Sequence, residues 1–156
     1  MLENGNMRLL FACLLLLSAS VVSWNVEERY KKFLKQHVDG QISVKKCDYV
    51  IQSRGITKTN RTTKLKTNEC KETNTFIRDN KKHVKAICEH AGEPDGEMTR
   101  SRKPFSIVIC KLKNHGARQP RCHYRGQDRK KKIVIKCEGG FPVHLERDID
   151  QIDNWY

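Results

Sequence analysis

Lys71 follows Cys70 directly, and after Glu72 and Thr73 comes the run Asn74-Thr75-Phe76. Thr75, Phe76 and Ile77 favour extended structure, so this run reads as the start of a strand that Cys70 can tether to another. A lysine on backbone held in that way presents a cation at a set position, where an anionic group can meet it. The plain alternative is a surface lysine beside a disulfide. A second side chain with chemical potential is His37, at the end of a stretch with helical period. An imidazole titrates near neutral pH and can take or give a proton. A lone histidine in such a place is otherwise a half-buried packing residue.

The elements that must position these groups follow from periodicity. Val26, Tyr30, Phe33, Leu34 and His37 fall on one face at helical spacing, which predicts an amphipathic helix from Asn25 to His37. Asn25 can cap its start, and Asp39-Gly40 ends it. Lys45 to Ser53 reads as a short second helix with Cys47, Val50 and Ile51 inward, stopped by Gly55. Thr57 to Glu69 is polar and basic without an apolar period, and reads as an exposed loop. It contains the sequon Asn60-Arg61-Thr62. Asn80 to His90 reads as a third helix with Val84, Ile87 and Cys88 inward, and Glu89 to Glu97 as an acidic, turn-rich loop. The rest is β: Phe105 to Leu112, Arg121 to Tyr124, Ile133 to Cys137 and Phe141 to Leu145. Strands after helices imply an α+β fold with an antiparallel sheet. The run Arg129 to Lys132 reads equally as a solvated hairpin tip or a polyanion contact.

The chain has 156 residues, which suits one domain. Leu9 to Leu17 is an unbroken apolar run preceded by Arg8 and followed by small residues. That pattern is a secretory signal peptide over residues 1–23, too short to anchor in a bilayer, leaving 24–156 as the mature domain and a secreted, extracellular location. Cys13 leaves with the signal. The remaining six, Cys47, Cys70, Cys88, Cys110, Cys122 and Cys137, form an even set that reads as three disulfides whose pairing spacing does not decide. A zinc site is the competing reading, but no Cys-x-x-Cys pair supports it. The formal net charge is +13, and the signal contributes none of it because Arg8 offsets Glu3. A secreted protein this basic is drawn to polyanions: RNA, heparin-like glycans, anionic cell surfaces or bacterial membranes. Charge alone does not choose among them.

Cys70-Lys71-x-x-Asn74-Thr75-Phe76 resembles the signature of the pancreatic-type (ribonuclease A) family, and two further segments agree in order. Phe33-Leu34-Lys35-Gln36-His37 resembles the family's N-terminal catalytic helix, and Phe141-Pro142-Val143-His144-Leu145 its terminal catalytic strand. The resemblance covers about residues 26 to 149 and leans to the angiogenin-like branch, whose members likewise lack a fourth disulfide. It implies three helices packed on a curved antiparallel sheet, with Cys47–Cys110, Cys70–Cys122 and Cys88–Cys137 paired. Each bridge would close roughly 50 to 65 residues, worth about 4 kcal/mol in the chain-entropy model.

The resemblance further implies His37, Lys71 and His144 as catalytic residues. Thr75 would read a pyrimidine edge, Gln36 would touch the phosphate, and Asn74, Phe76 and Leu145 would complete the substrate site. RNA carries its own nucleophile, the 2′-hydroxyl, so neither metal nor cofactor is expected. The implied function is a secreted endoribonuclease that cuts after pyrimidines through a 2′,3′-cyclic phosphate, with angiogenic and antibacterial roles in prospect. RNA is the expected substrate, a cytosolic ribonuclease inhibitor an expected partner, and the chain an expected monomer. The alternative is a cationic host-defence or growth-factor-like protein that works by binding cells and cleaves RNA incidentally. Leu145 stands where digestive members carry phenylalanine, Glu146 replaces their aspartate, and only Arg54 remains of the arginine cluster associated with nuclear entry in the angiogenin branch. His83, His90, His115 and His123 match no catalytic segment.

Overall fold

The structure, a computed structural model, describes residues 25–149; the expected signal segment lies outside them. Helix α1 covers 25–37, and α2 spans Cys47–Ser53 after a 3-10 turn at Val44–Lys46. Helix α3 spans Lys81–Lys85 and runs into a 3-10 turn at Ala86–Cys88, with the Asn80 side chain accepting from the backbone N–H of His83. The strands are β1 Thr73–Ile77, β2 Gly92–Asp95, β3 Met98–Ser101, β4 Phe105–Leu112, β5 Tyr124–Glu138 and β6 Phe141–Ile149. All named pairings are antiparallel, in the order β1-β4-β5-β3-β2, with β6 also on β5.

Two apolar clusters explain why β4 reads as nearly continuous hydrophobe. Val108, Cys110 and Leu112 join Phe76 of β1 and Val50 and Ile51 of α2 on one face. Ile107 and Ile109 join Ile77, with Phe33 of α1 and Val84 of α3, on the other. Alternate residues of one strand therefore feed opposite faces, and the sheet is covered by α2 on one side and by α1 and α3 on the other. Gly126 of β5 lets the 3-10 turn approach, since a Cβ there would collide with the backbone of Val44. Three disulfides, Cys47–Cys110, Cys70–Cys122 and Cys88–Cys137, cross-link the elements.

Three expectations need correction. The acidic stretch from Glu89 to Glu97 is not simply a loop: Gly92–Asp95 pairs with Met98–Ser101, turning at Gly96-Glu97 where Gly96 has φ +61°. The backbone pairs whatever the side-chain charge, and a two-residue turn with a left-handed glycine suits a hairpin. Of the two segments read as Arg121–Tyr124 and Ile133–Cys137, only Tyr124 of the first and all of the second belong to strand, and both lie in one 15-residue strand, β5. Arg129 to Lys132 lies in mid-strand instead of at a hairpin tip, because Phe105, Ser106 and Ile107 of β4 give this polar stretch a backbone partner. The 57–69 stretch is the exposed loop that the sequence implies, apart from Thr57 at its start, and its own bonds hold it. Thr57 is buried and donates to the carbonyl of Thr67 at 2.6 Å, and Thr59 bridges Lys66.

The docking of α1 is what carries His37 to the sheet. The Tyr30 ring lies 5.0 Å from that of Phe141, and Arg29 pairs with Glu138 at the other strand of the β5–β6 hairpin. At the helix end, Val38 bridges Ile77 and the Asp39 N–H donates to the Ile77 carbonyl at 3.0 Å.

Candidate active site

His37 occupies the last position of α1, beside β1, where its Nδ1 lies 2.9 Å from the main-chain oxygen of Thr75. A carbonyl only accepts, so Nδ1 carries the proton and donates, leaving the Nε2 lone pair available. Burial, and next the cation of Lys71, pull the imidazole from 6.5 down to about 4, against the raising effect of the Thr75 hydrogen bond; His144 adds a smaller push in the same downward direction. At neutral pH the ring is therefore a neutral base.

Lys71 precedes β1 and is fixed at both ends. Cys70, its neighbour, is bonded to Cys122, and Tyr124 donates its hydroxyl to the Lys71 carbonyl at 2.7 Å. The ammonium donates to Oδ1 of Asn74 at 2.8 Å, and the Asn74 amide donates to the Gln36 carbonyl at 2.9 Å. Burial first, and then Lys32, lower the Lys71 pKa. Burial, with Asp48 next, pushes the Tyr124 hydroxyl up to about 12, so it remains a donor. Tyr124 is the positioning residue that reading the sequence missed. Nothing local marks it, since its link to Lys71 spans 53 positions.

His144 projects from β6 and is about half exposed, with Nε2 3.0 Å from Oε2 of Glu146. The carboxylate accepts, so Nε2 carries the proton in this pair and Nδ1 is the nitrogen left for exchange. The register explains the pairing: Val134 pairs with Arg147 and Ile135 with Leu145, which makes Glu146 the extra residue of a bulge. Bulges re-aim side chains next to active sites.

Two adjoining hollows share Lys71 and Thr73. One, of about 400 Å³, is lined by His37, Thr75 and Leu145 together with Ile133 and Asp148. The other, of about 980 Å³, takes in His144, Gln36 and Lys32 and extends over Lys58 and Arg61. The fold thus gathers His37, Lys71, His144, Gln36, Thr75 and Leu145 around one cleft. Two expected substrate contacts sit behind it instead: Asn74 is 2% exposed and Phe76 fully buried, so both side chains position the strand. His83 and His123 pair at the surface with Asp79 and Asp48, outside the cleft. Among the described residues no group of three or more His, Cys, Asp or Glu is arranged to hold a metal ion.

Two imidazoles line hollows that share one lysine, on this sheet with these disulfides, and residues 28–146 match the pancreatic ribonuclease family. The chain belongs to that family, in its angiogenin-like branch, and is an endoribonuclease of the pancreatic type. Ribonuclease-like 3 of Danio rerio is 38% identical over 144 residues, covering 87% of this chain and 92% of the relative. Angiogenin of Sus scrofa is 37% identical over 124 residues, covering 77% of each. The X-ray structure of zebrafish RNase5 superposes with a TM-score of 0.71 at 43% identity, covering 79% of this chain and 96% of that one.

Proposed function

We propose that the mature chain, residues 24–156, is a secreted, metal-independent ribonuclease that cleaves RNA on the 3′ side of pyrimidines. The observation that carries this reading is the His37–Thr75 hydrogen bond, which sets the histidine's tautomer so that Nε2 is the basic nitrogen. In strand cleavage, His37 Nε2 takes the proton of the ribose 2′-hydroxyl, whose oxygen attacks the adjacent phosphorus. His144 Nδ1 protonates the departing 5′-oxygen, and the products are a 2′,3′-cyclic phosphate and a free 5′-hydroxyl. Lys71 stabilises the extra negative charge on the pentacoordinate phosphorus. Hydrolysis of the cyclic phosphate runs with the two imidazoles reversed. Each proton-transfer group contributes typically about 10²–10⁴-fold.

Thr75 is suited to reading a pyrimidine, because its hydroxyl can both donate and accept in the hollow walled by Leu145 and Ile133. Gln36 faces the phosphate side. Secretion is supported by the signal-like residues 1–23 and by three disulfides, which persist in oxidising compartments. A second reading, antibacterial or growth-factor-like action through binding, rests on the net charge of +13.

The test is cleavage of yeast RNA and tRNA by the refolded mature chain, with His144→Ala beside it. Activity should persist in EDTA, spare single-stranded DNA and fall at least about 100-fold in the variant. Restoration by zinc or magnesium of an activity lost on chelation would remove this mechanism.

A further inference from the structure

The sequon Asn60-Arg61-Thr62 is a motif that RNA cleavage does not use, and Asn60 is the one asparagine of the chain with Ser or Thr two positions on. It sits in a small, self-supporting hairpin, 58–67, beside the cleft. The Asn60 N–H donates to the Leu65 carbonyl and the Thr67 N–H to the Lys58 carbonyl. The Asn60 side chain is engaged on one side only. Its Oδ1 accepts from the backbone N–H groups of Thr62 and Thr63, at 2.9 and 3.0 Å, and closes the turn. Its Nδ2 has no hydrogen-bond partner among the described residues, and Asn60, Arg61 and Thr62 are all exposed.

The turn therefore depends on the acceptor oxygen, which a substituted amide keeps, and not on the amide nitrogen. A sugar on Nδ2 costs the fold no hydrogen bond and buries no polar group. Asn74 is the opposite case: it is 2% exposed, and its amide donates to the Gln36 carbonyl. The position of Asn60 also bears on the site, because Asn60, Arg61 and Thr62 line the same hollow of about 980 Å³ as Lys71 and His144. A glycan is bulky and hydrated, and one rooted at Asn60 stands at the rim of the cleft. A dinucleotide occupies only the floor of that hollow, whereas a folded RNA has to bring a helix or loop past the rim.

We propose that Asn60 carries an N-linked glycan, and that this glycan screens the cleft against folded RNA while admitting short strands. The proposal rests on the secretion reading, since the transfer takes place in the lumen of the secretory pathway. The co-reactant is a lipid-linked pyrophosphoryl oligosaccharide. Asn60 Nδ2 forms a bond to the anomeric carbon of its first sugar, and the bond from that carbon to the pyrophosphate oxygen breaks. The lipid pyrophosphate leaves, the proton lost from Nδ2 passes to a base of the transferase, and nothing is oxidised or reduced. Arg61 at the middle position, where proline would block transfer, leaves the motif competent.

The chain is expressed in cultured vertebrate cells, once with its own residues 1–23 and once with a borrowed signal peptide in their place. Wild type is compared with Thr62→Ala, which removes the acceptor motif but keeps the backbone N–H that Asn60 binds, and with Thr62→Ser, which keeps both. Wild type and Thr62→Ser should carry a glycan that peptide N-glycosidase removes, leaving heavy oxygen at residue 60 when the digestion runs in oxygen-labelled water; Thr62→Ala should carry none. An unmodified Asn60 under the borrowed signal overturns the proposal. A glycosylated product under the borrowed signal, with no delivery by residues 1–23, sinks the secretion reading and leaves the acceptor site standing. Access is measured on one wild-type preparation before and after an endoglycosidase trims the glycan to its first sugar, which leaves the protein's sequence and charge unchanged. Trimming should raise kcat/KM on tRNA about threefold or more and leave kcat/KM on the dinucleotide UpA within about 1.5-fold, because the glycan restricts the orientations from which a large partner can dock. Equal values on tRNA in the two forms would overturn the screening. So would a parallel rise on UpA, which would place the effect on the catalytic groups instead of on access.

Discussion

Lys71 and Asn74 are joined by a 2.8 Å hydrogen bond from the ammonium to the side-chain oxygen. Asn74 is 2% exposed, and its amide donates to the carbonyl of Gln36, so a single buried side chain ties the cation beside β1 to the end of α1. Removing such a residue leaves its partners unsatisfied, a cost of about 1–3 kcal/mol.

Asn74→Ala should therefore lower kcat/KM on a dinucleotide by about 10- to 100-fold, mostly in kcat, because the cation is misplaced and not lost. Lys71→Ala should cost more, about 10²–10³-fold. In the double variant the losses should fall well short of additive, since both act through the same ammonium. Fully additive losses in that cycle would show that Asn74 acts independently of Lys71.

The position of His37 sets a pH dependence. Its pKa in the fold is about 4, below the ordinary 6.5 that applies when unfolded. Between these values the unfolded chain binds a proton that the folded chain does not, so stability falls as pH drops from 6.5 toward 4. Above 6.5 this group contributes no slope. Urea unfolding at pH 7, 5.5 and 4 should show a shallower fall in His37→Gln than in wild type. The acidic limb of kcat/KM in wild type, which reports the free enzyme, should lie near pH 4. An acidic limb at 6.5 would contradict the buried, neutral imidazole.

Bacterial killing, if the protein performs it, should follow surface charge and not the active site. Lys131 is partly buried and pairs with Asp148, so within Arg129 to Lys132 the test falls on Lys130 and Lys132. Anionic membranes attract each nearby cation by about 1 kcal/mol. Lys130→Gln/Lys132→Gln should weaken killing and reduce its salt sensitivity, whereas His144→Ala should abolish RNA cleavage and leave survival curves nearly unchanged. Killing lost together with cleavage in His144→Ala would tie it to RNA cleavage instead.

Much of the site was legible because its parts lie in short segments with local signals. The apolar stripe from Val26 to His37 determines a helix and the face on which His37 falls. Cys70-Lys71 and Asn74-Thr75-Phe76 place a cation and a strand within seven residues, and an even cysteine set after removal of Cys13 announces three bridges. These are properties of spacing, which a chain carries before it folds.

Only the tertiary structure decided what each of those residues meets. The tautomer of His37 depends on Thr75, 38 positions away, and the placement of Lys71 depends on Tyr124, 53 positions away. Asn74 and Phe76 look like substrate contacts along the chain, yet strand alternation turns both inward, Phe76 against α2 and Asn74 toward the Gln36 carbonyl of α1. The stretch Arg129 to Lys132 carries no apolar period, so its strand was hidden: pairing with β4 is a backbone interaction that charged side chains do not forbid. The same holds for the 58–67 hairpin, whose hydrogen bonds come from its own backbone and Asn60, and whose place beside the cleft follows from where α1 docks.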